Sequence, residues 1–387
     1  MWFKSFIIKM IKKLFYNKIF VCFVVIFFSI NNFINLTVMK NKLTRRSFLG
    51  SSAVVLATAS LAPIVSSCQT APACPSFPGI DEFGSKFGGV QIGCTTYSWR
   101  NEPAGLENTV KYCKETGINS IELRMYLEEY LGAPENPTQR LYREALAAQQ
   151  TSAVAPTERR GRPQLTPEQQ ATIDQYNADL KAFRLSLTPE KIATAKKLFD
   201  DAGIEIHIWK AEPANWSDEE IDYAFTTAKA LGAGGITQEI SETAVKRLAP
   251  FAEKHNMYAI FHNHNQFAEE GFNIDTYLAV SPAVMLNFDV GHYFGSTGLN
   301  PCDFMRKYHD RIYSIHIKDK TGPNTDPPNE NQVYGQGETP VKEIVLLIKN
   351  EGWPIYVDIE LEHDIKPWSN QVKETKTCVQ YLRNILI

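Results

Sequence analysis

From Gly88 onward the chain alternates between short apolar runs and amphipathic stretches, and this rhythm constrains the fold more than any other feature of the sequence. The apolar runs fall at 90–94, 120–123, 204–208, 235–237, 258–261, 284–288, 312–315 and 355–359, each of strand length. The stretches between them carry helical spacing. At 188–199, Thr188 stands at the cap and Pro189 at the first helical position, where a missing N–H costs nothing. Further helices are expected over 218–231, 241–255, 301–310, 340–350 and 369–385. Strand–helix alternation without hairpin turn signals implies a parallel sheet. Roughly eight such repeats in about 300 residues fit a closed (β/α)8 TIM barrel better than an open doubly wound sheet. A dinucleotide-binding sheet would need a glycine-rich loop after its first strand, and Cys94-Thr95-Thr96-Tyr97-Ser98 stands there instead.

One segment breaks the rhythm. Between the second strand and the helix at 188, residues 126–187 form an insertion that includes Arg159-Arg160-Gly161-Arg162-Pro163 and an expected polar helix at 166–184. An insertion in a strand-to-helix loop belongs to the C-terminal face of a barrel. A lid, a subunit contact in a homo-oligomer and a passive insertion are the readings left open.

The first 74 residues read as an address and a tether, with the barrel taking 75–387. Arg45-Arg46, then Phe48-Leu49 and a short run rich in Ala and Ser, make a twin-arginine export signal that is too short for a good membrane span. Val65-Ser66-Ser67-Cys68 resembles a lipobox, so Cys68 is expected to be lipidated and to anchor an exported, periplasmic or cell-envelope protein at the membrane. Residues 1–38 carry an apolar stretch from Ile19 to Ile30. They read as an over-extended N-terminus, with Met39 as the start. The seven cysteines are scattered without CxxC pairs, which argues against a zinc ribbon and gives no disulfide framework. A net charge of −3 and a pI near 6.3 argue against a general nucleic-acid partner.

Chemistry concentrates at the ends of the later strands: His262-Asn263-His264, Asp289-Val290-Gly291-His292, His316-Ile317-Lys318-Asp319 and Glu360-Leu361-Glu362. In a barrel these ends converge on one mouth. Gathering such charges there is costly unless a cation neutralises them. A mixed imidazole and carboxylate set suits a divalent Mn, Co, Zn or Fe ion better than Ca, with Mg a poorer match. Glu122 on strand two and His207 and Lys210 on strand three are candidate acid–base or hydroxyl-binding groups. Trp99 and Trp209 are candidates for stacking on a ring. Gln238 and Glu239, ending strand four, are possible sources of a further oxygen ligand.

Asp289-Val290-Gly291-His292, Arg311-Ile312, His316-Ile317-Lys318-Asp319, Tyr334-Gly335-Gln336-Gly337-Glu338 and Ile359-Glu360, in this order, resemble the sugar phosphate isomerase/epimerase family of xylose-isomerase-like barrels. The resemblance runs from about Val90 to Leu386. It implies a metal held from strands five to eight, here by the His262 position, Asp289, His316 and Glu360. The chain departs from the family pattern at the first of these, where histidine replaces glutamate. His262 and His264 lie on the same side of the strand, so both are candidates for that ligand and His264 is also a candidate substrate contact. The resemblance further implies a substrate contact by His292; Lys318 is a candidate to polarise a carbonyl or steady an enediolate unless it pairs with Asp319, and Glu360 or a nearby histidine to transfer the proton. The expected activity is a metal-dependent isomerase, epimerase or lyase acting through an enediolate on a non-phosphorylated keto-sugar, polyol or glycoside. A metal-dependent hydrolase and a non-catalytic sugar-binding protein are the alternatives.

Overall fold

The computed structural model describes residues 83–151 and 163–387. The export signal, Cys68, the 1–38 extension and the Arg159-Arg160-Gly161-Arg162 run lie outside the described residues. Eight parallel strands close into a barrel: β1 Val90–Thr95, β2 Ser120–Leu123, β3 Glu205–Trp209, β4 Gly235–Glu239, β5 Tyr258–His262, β6 Val284–Asp289, β7 Ile312–Ile317 and β8 Tyr356–Ile359. Sequential strands are neighbours throughout. Closure comes where β8 pairs with β1, at Val357↔Ile92, Asp358↔Gly93 and Ile359↔Cys94. Around the strands run α1 Leu106–Thr116, α2 Pro189–Asp200, α3 Asp218–Leu231, α4 Glu242–His255, α5 Ile274–Leu278, α6 Pro301–Tyr308, α7 Val341–Glu351 and α8 Gln371–Leu386.

Strands β4 to β7 run further than their apolar residues suggest, so that Glu239, His262, Asp289 and His316 are strand residues. Hydrophobicity stops where the mouth begins, while the ladder continues because each neighbour still supplies backbone partners. The result matters for function: side chains on a paired strand have fixed directions, unlike those on a loop.

The apolar core is the shell between strands and helices, with Phe199, Phe225, Phe261 and Phe288 fully buried in it. The barrel interior is mostly polar. Ser120, Glu122, His207, Thr237, Asn287, Ser314 and Asp358 are all buried. Buried polar groups must find partners, and these do so across the barrel. His207 sits between Ser120 Oγ (2.9 Å from Nδ1) and Asp358 Oδ2 (2.9 Å from Nε2), with Tyr356 stacked on its ring. A side chain at Gly93 would place Cβ 2.2 Å from Asp358 Oδ1, so only glycine leaves room for that carboxylate. The β2–β3 register skips a residue at His207, with Ile121 opposite Ile206 and Glu122 opposite Ile208. Past this bulge Trp209 joins the outer shell and Lys210 points into the mouth.

The described part of the insertion contains helices Leu127–Leu131, Thr138–Thr151 and Pro167–Ser186. The last begins with a capping box, Thr166 with Gln169. It is moored laterally through Arg184, whose guanidinium meets Glu128 (2.7 Å), Glu220 of α3 (3.0 Å) and the face of Trp216 (3.6 Å to the centroid). Among the described residues, no helix is long and apolar enough to cross a membrane.

Candidate metal centre

His262, Asp289, His316 and Glu360 come from the C-terminal ends of four consecutive strands, and all four are buried. One donor atom from each lies within 4.8 Å of every other. Local structure explains how each is presented. Asp289 caps the helix Val290–Thr297, its Oδ1 accepting the His292 backbone N–H at 2.7 Å, which leaves Oδ2 facing the cluster. Asn263 fixes this residue from the neighbouring strand by accepting the Asp289 N–H at 2.9 Å.

Each of the two histidines stands between a supporting carboxylate and a cluster carboxylate, through opposite ring nitrogens. His262 Nδ1 lies 3.1 Å from Glu239 Oε2, and its Nε2 faces Asp289 Oδ2 at 3.4 Å. His316 Nε2 lies 3.3 Å from Glu122 Oε2, and its Nδ1 faces Glu360 Oε2 at 3.1 Å. A carboxylate behind an imidazole fixes its tautomer and raises its donor strength, which is how metal-bound histidines are normally supported. His262 Nε2 is buried without a hydrogen-bond partner, and Asp289 Oδ2 is buried with the Lys318 ammonium 2.9 Å away. Around them stand five carboxylates, Glu122, Glu239, Asp289, Glu360 and Glu362, with the ammonium groups of Lys210 and Lys318 in direct contact and that of Lys320 nearby. An unpartnered imidazole nitrogen, a nitrogen–oxygen donor set and more carboxylates than ammonium groups together fit a divalent transition ion. The four residues would hold it from one side, with Glu122 and Glu239 behind the imidazoles.

Electrostatics agree with the geometry. Burial would raise the carboxyl groups of Asp289 and Glu360, but the Lys318 ammonium outweighs it and holds both well below the usual carboxylate range. Burial would likewise raise Glu122, and the adjacent His316 brings it instead to about 2. Thr95, Thr237 and Asn287 complete the Glu122 shell by donating to its oxygens. His292 behaves oppositely: burial depresses it to about 3 against the pull of Asp289, so it is a neutral imidazole at the edge of the cluster.

The remaining candidates separate clearly. His264 is half exposed at the rim, 3.1 Å from Glu239 and outside the four-residue cluster, so His262 is the histidine that joins Asp289. Lys210 reaches the mouth and meets Glu239 at 2.8 Å. Glu122 lies beneath the cluster rather than on its open side, fully buried. His207 lies deeper, in the Ser120–Asp358 layer. Neither tryptophan faces the mouth. Trp99 donates to Thr375 Oγ1 at 3.2 Å and packs on Tyr112, while Trp209 meets Tyr223 edge-on. The expectation that they stack on a substrate ring is corrected by their burial in the outer shell. Gln238 turns away to accept the Ala214 N–H. Lys318 does not pair with Asp319, whose carboxylate accepts the backbone N–H groups of Gly335, Gly337 and Thr339. Three contributors have no assigned role in the sequence reading: Asn263, Asn287 and Glu362, the last 2.6 Å from Lys318. All lie at strand ends, which is the one signal that marks them.

Fold and site together define a barrel whose mouth gathers residues that could hold a cation, and comparison places the fold. The chain belongs to the xylose isomerase-like TIM barrel family, whose model matches residues 171–385. It is similar to a sugar phosphate isomerase/epimerase from Parabacteroides distasonis, with 18% identity over 80% of this chain and 100% of that one and a TM-score of 0.50. A xylose isomerase domain protein from Alicyclobacillus acidocaldarius is 11% identical over 77% and 98% of the two chains, also at 0.50. At these identities the likeness is one of fold. No curated protein matches the chain in sequence.

Proposed function

We propose that this protein is a divalent-metal-dependent isomerase, epimerase or lyase that moves a proton beside a carbonyl of a non-phosphorylated keto-sugar, polyol or glycoside. The observation that carries this reading is the convergence of His262, Asp289, His316 and Glu360, with His262 Nε2 unpartnered among them, at the mouth of a xylose isomerase-like barrel. The ion, when bound, supplies a Lewis acid for neighbouring carbonyl and hydroxyl oxygens. Glu360, ionised and opening to the mouth at 5% exposure, takes the proton from carbon and returns it. His292 stays neutral, so its imidazole offers a hydrogen bond to a substrate hydroxyl without adding charge. With histidine at position 262, Glu360 is the single glutamate left in the ligand ring. This favours one-base isomerisation or elimination over two-base epimerisation.

We also propose that the protein is exported and anchored through Cys68. Sugar phosphates are scarce outside the cytoplasm, which supports a free or glycosidic sugar as substrate. The proton-transfer role is tested with Glu360→Gln. Turnover of a keto-sugar panel should fall by roughly 10²- to 10⁴-fold while metal is retained; undiminished turnover would remove Glu360 as the base.

A further inference from the structure

A side chain already stands where a bound cation would be drawn. Lys318 Nζ lies 2.9 Å from Asp289 Oδ2 and 2.5 Å from Glu360 Oε2, two of the ligands proposed above. On its outer side it meets Glu362 Oε2 at 2.6 Å and His292 Nε2 at 3.3 Å. Its stem has little freedom, because it passes over Gly291, where an added Cβ would fall 2.2 Å from Lys318 Cγ. The glycine of Asp289-Val290-Gly291-His292 is therefore the residue that admits the lysine. The ammonium can pivot at the end of this fixed stem, and Glu362, with 21% of its side chain exposed, lies on the solvent side. Two cations cannot share the gap between Asp289 and Glu360, since their repulsion grows as water is excluded.

We propose that Lys318 is the resident counter-ion of this site, and that Glu362 is the berth its ammonium takes when a divalent ion claims Asp289 and Glu360. The inference rests on the metal-centre reading and adds to it a mechanism of loading by cation exchange. It explains how a fully buried carboxylate pair is tolerated before metal arrives: neither Asp289 nor Glu360 is left uncompensated. In the loaded protein the ammonium keeps only its outer contacts, Glu362 and His292, so one event completes the metal site and leaves the positive charge beside it.

The test is a double-mutant cycle read by Mn²⁺ titration calorimetry on chelator-stripped full-length protein: parent, Lys318→Met, Glu362→Gln and the double variant. Lys318→Met should bind Mn²⁺ roughly tenfold tighter or more, because a competing charge has left. Glu362→Gln should bind several-fold more weakly, and most of that loss should vanish in the Lys318→Met background, as expected of groups that act through each other. Stripped Lys318→Met should also melt at a lower temperature than the parent and recover with Mn²⁺. Equal or weaker binding by Lys318→Met, or the same Glu362→Gln loss in both backgrounds, would overturn the exchange. Should Lys318→Met not fold, unchanged affinity in Glu362→Gln alone would overturn it, and weakened affinity would support it. Uptake by Lys318→Met but not by the parent would uphold the exchange and sink the metal-dependent function; uptake by neither would sink both.

Discussion

Glu122 shows how much of this site is decided away from the ligands. Its carboxylate lies 194 residues from His316 in sequence and 3.3 Å from it in space, and it is ionised because the imidazole outweighs the cost of burial. Glu122→Gln keeps the shape and removes the charge that holds the His316 N–H. Metal affinity should then fall by roughly 10- to 100-fold, as is usual for such supporting groups, with little change in fold. Calorimetric titration of the folded variant checks this, and unchanged affinity would mean that Glu122 serves only packing. At this scale the gathering of His262, Asp289, His316 and Glu360 at the mouth was legible in the sequence, because a titratable residue ending a barrel strand has only one place to go. The partners were not. Glu362, Asn263 and Asn287 owe their roles to groups on other strands, and nothing local to them says which oxygen or nitrogen they meet. Trp99 and Trp209 misled for a related reason: position near a strand end suggests the mouth, but the bulge at His207 decides which way Trp209 turns.

Among the elements, the described part of the insertion has its most connected mooring at Arg184. Arg184 links the helix Pro167–Ser186 to Glu128 and to Glu220 of α3, and stacks on Trp216. Burial would raise the Glu220 carboxyl, but hydrogen bonds from Arg184 and Ser217 lower it. A carboxyl whose folded value is depressed gives stability that is present above its unfolded value and lost as pH falls through the folded one. The mooring should therefore hold at neutral pH and loosen below the usual glutamate range. Limited proteolysis between the second and third strands should be slow at pH 7, faster near pH 3 to 4, and fast at both in Arg184→Met. Cleavage of Arg184→Met at the parent's rate would show that other contacts hold the helix. The helix itself was legible from its polarity, while its docking was not, because a single arginine among many carries no mark of which acids it will meet. The strand ends show the converse. Hydrophobic patterning stopped β4 to β7 short of Glu239, His262, Asp289 and Ile317, since functional polar residues interrupt the pattern while the ladder continues.

The described residues form a barrel with an apolar shell and a polar axis, and the axis is what lets it close around the charged groups at its mouth. Its lower layer, Ser120, His207 and Asp358, ties β2, β3 and β8 together across the seam next to β1. Replacing His207 with Leu would leave Asp358 buried and uncompensated, which typically costs about 3–5 kcal/mol. Denaturant unfolding should show a loss of that order with the mouth residues untouched; a loss below about 1 kcal/mol would mean that the layer is not a structural tie. The eightfold alternation made the barrel legible at this scale, whereas the polar axis was not, because inward and outward residues alternate too briefly in strands of four to six residues to be sorted by sequence. The central claim concerns the other end of that axis. Elemental analysis of the protein purified without added metal, beside Asp289→Ala/His316→Ala, tests it most directly. The account predicts about one Mn, Co, Zn or Fe ion per chain in the parent and none in the double variant. No metal in either protein, and none taken up on titration, would contradict it.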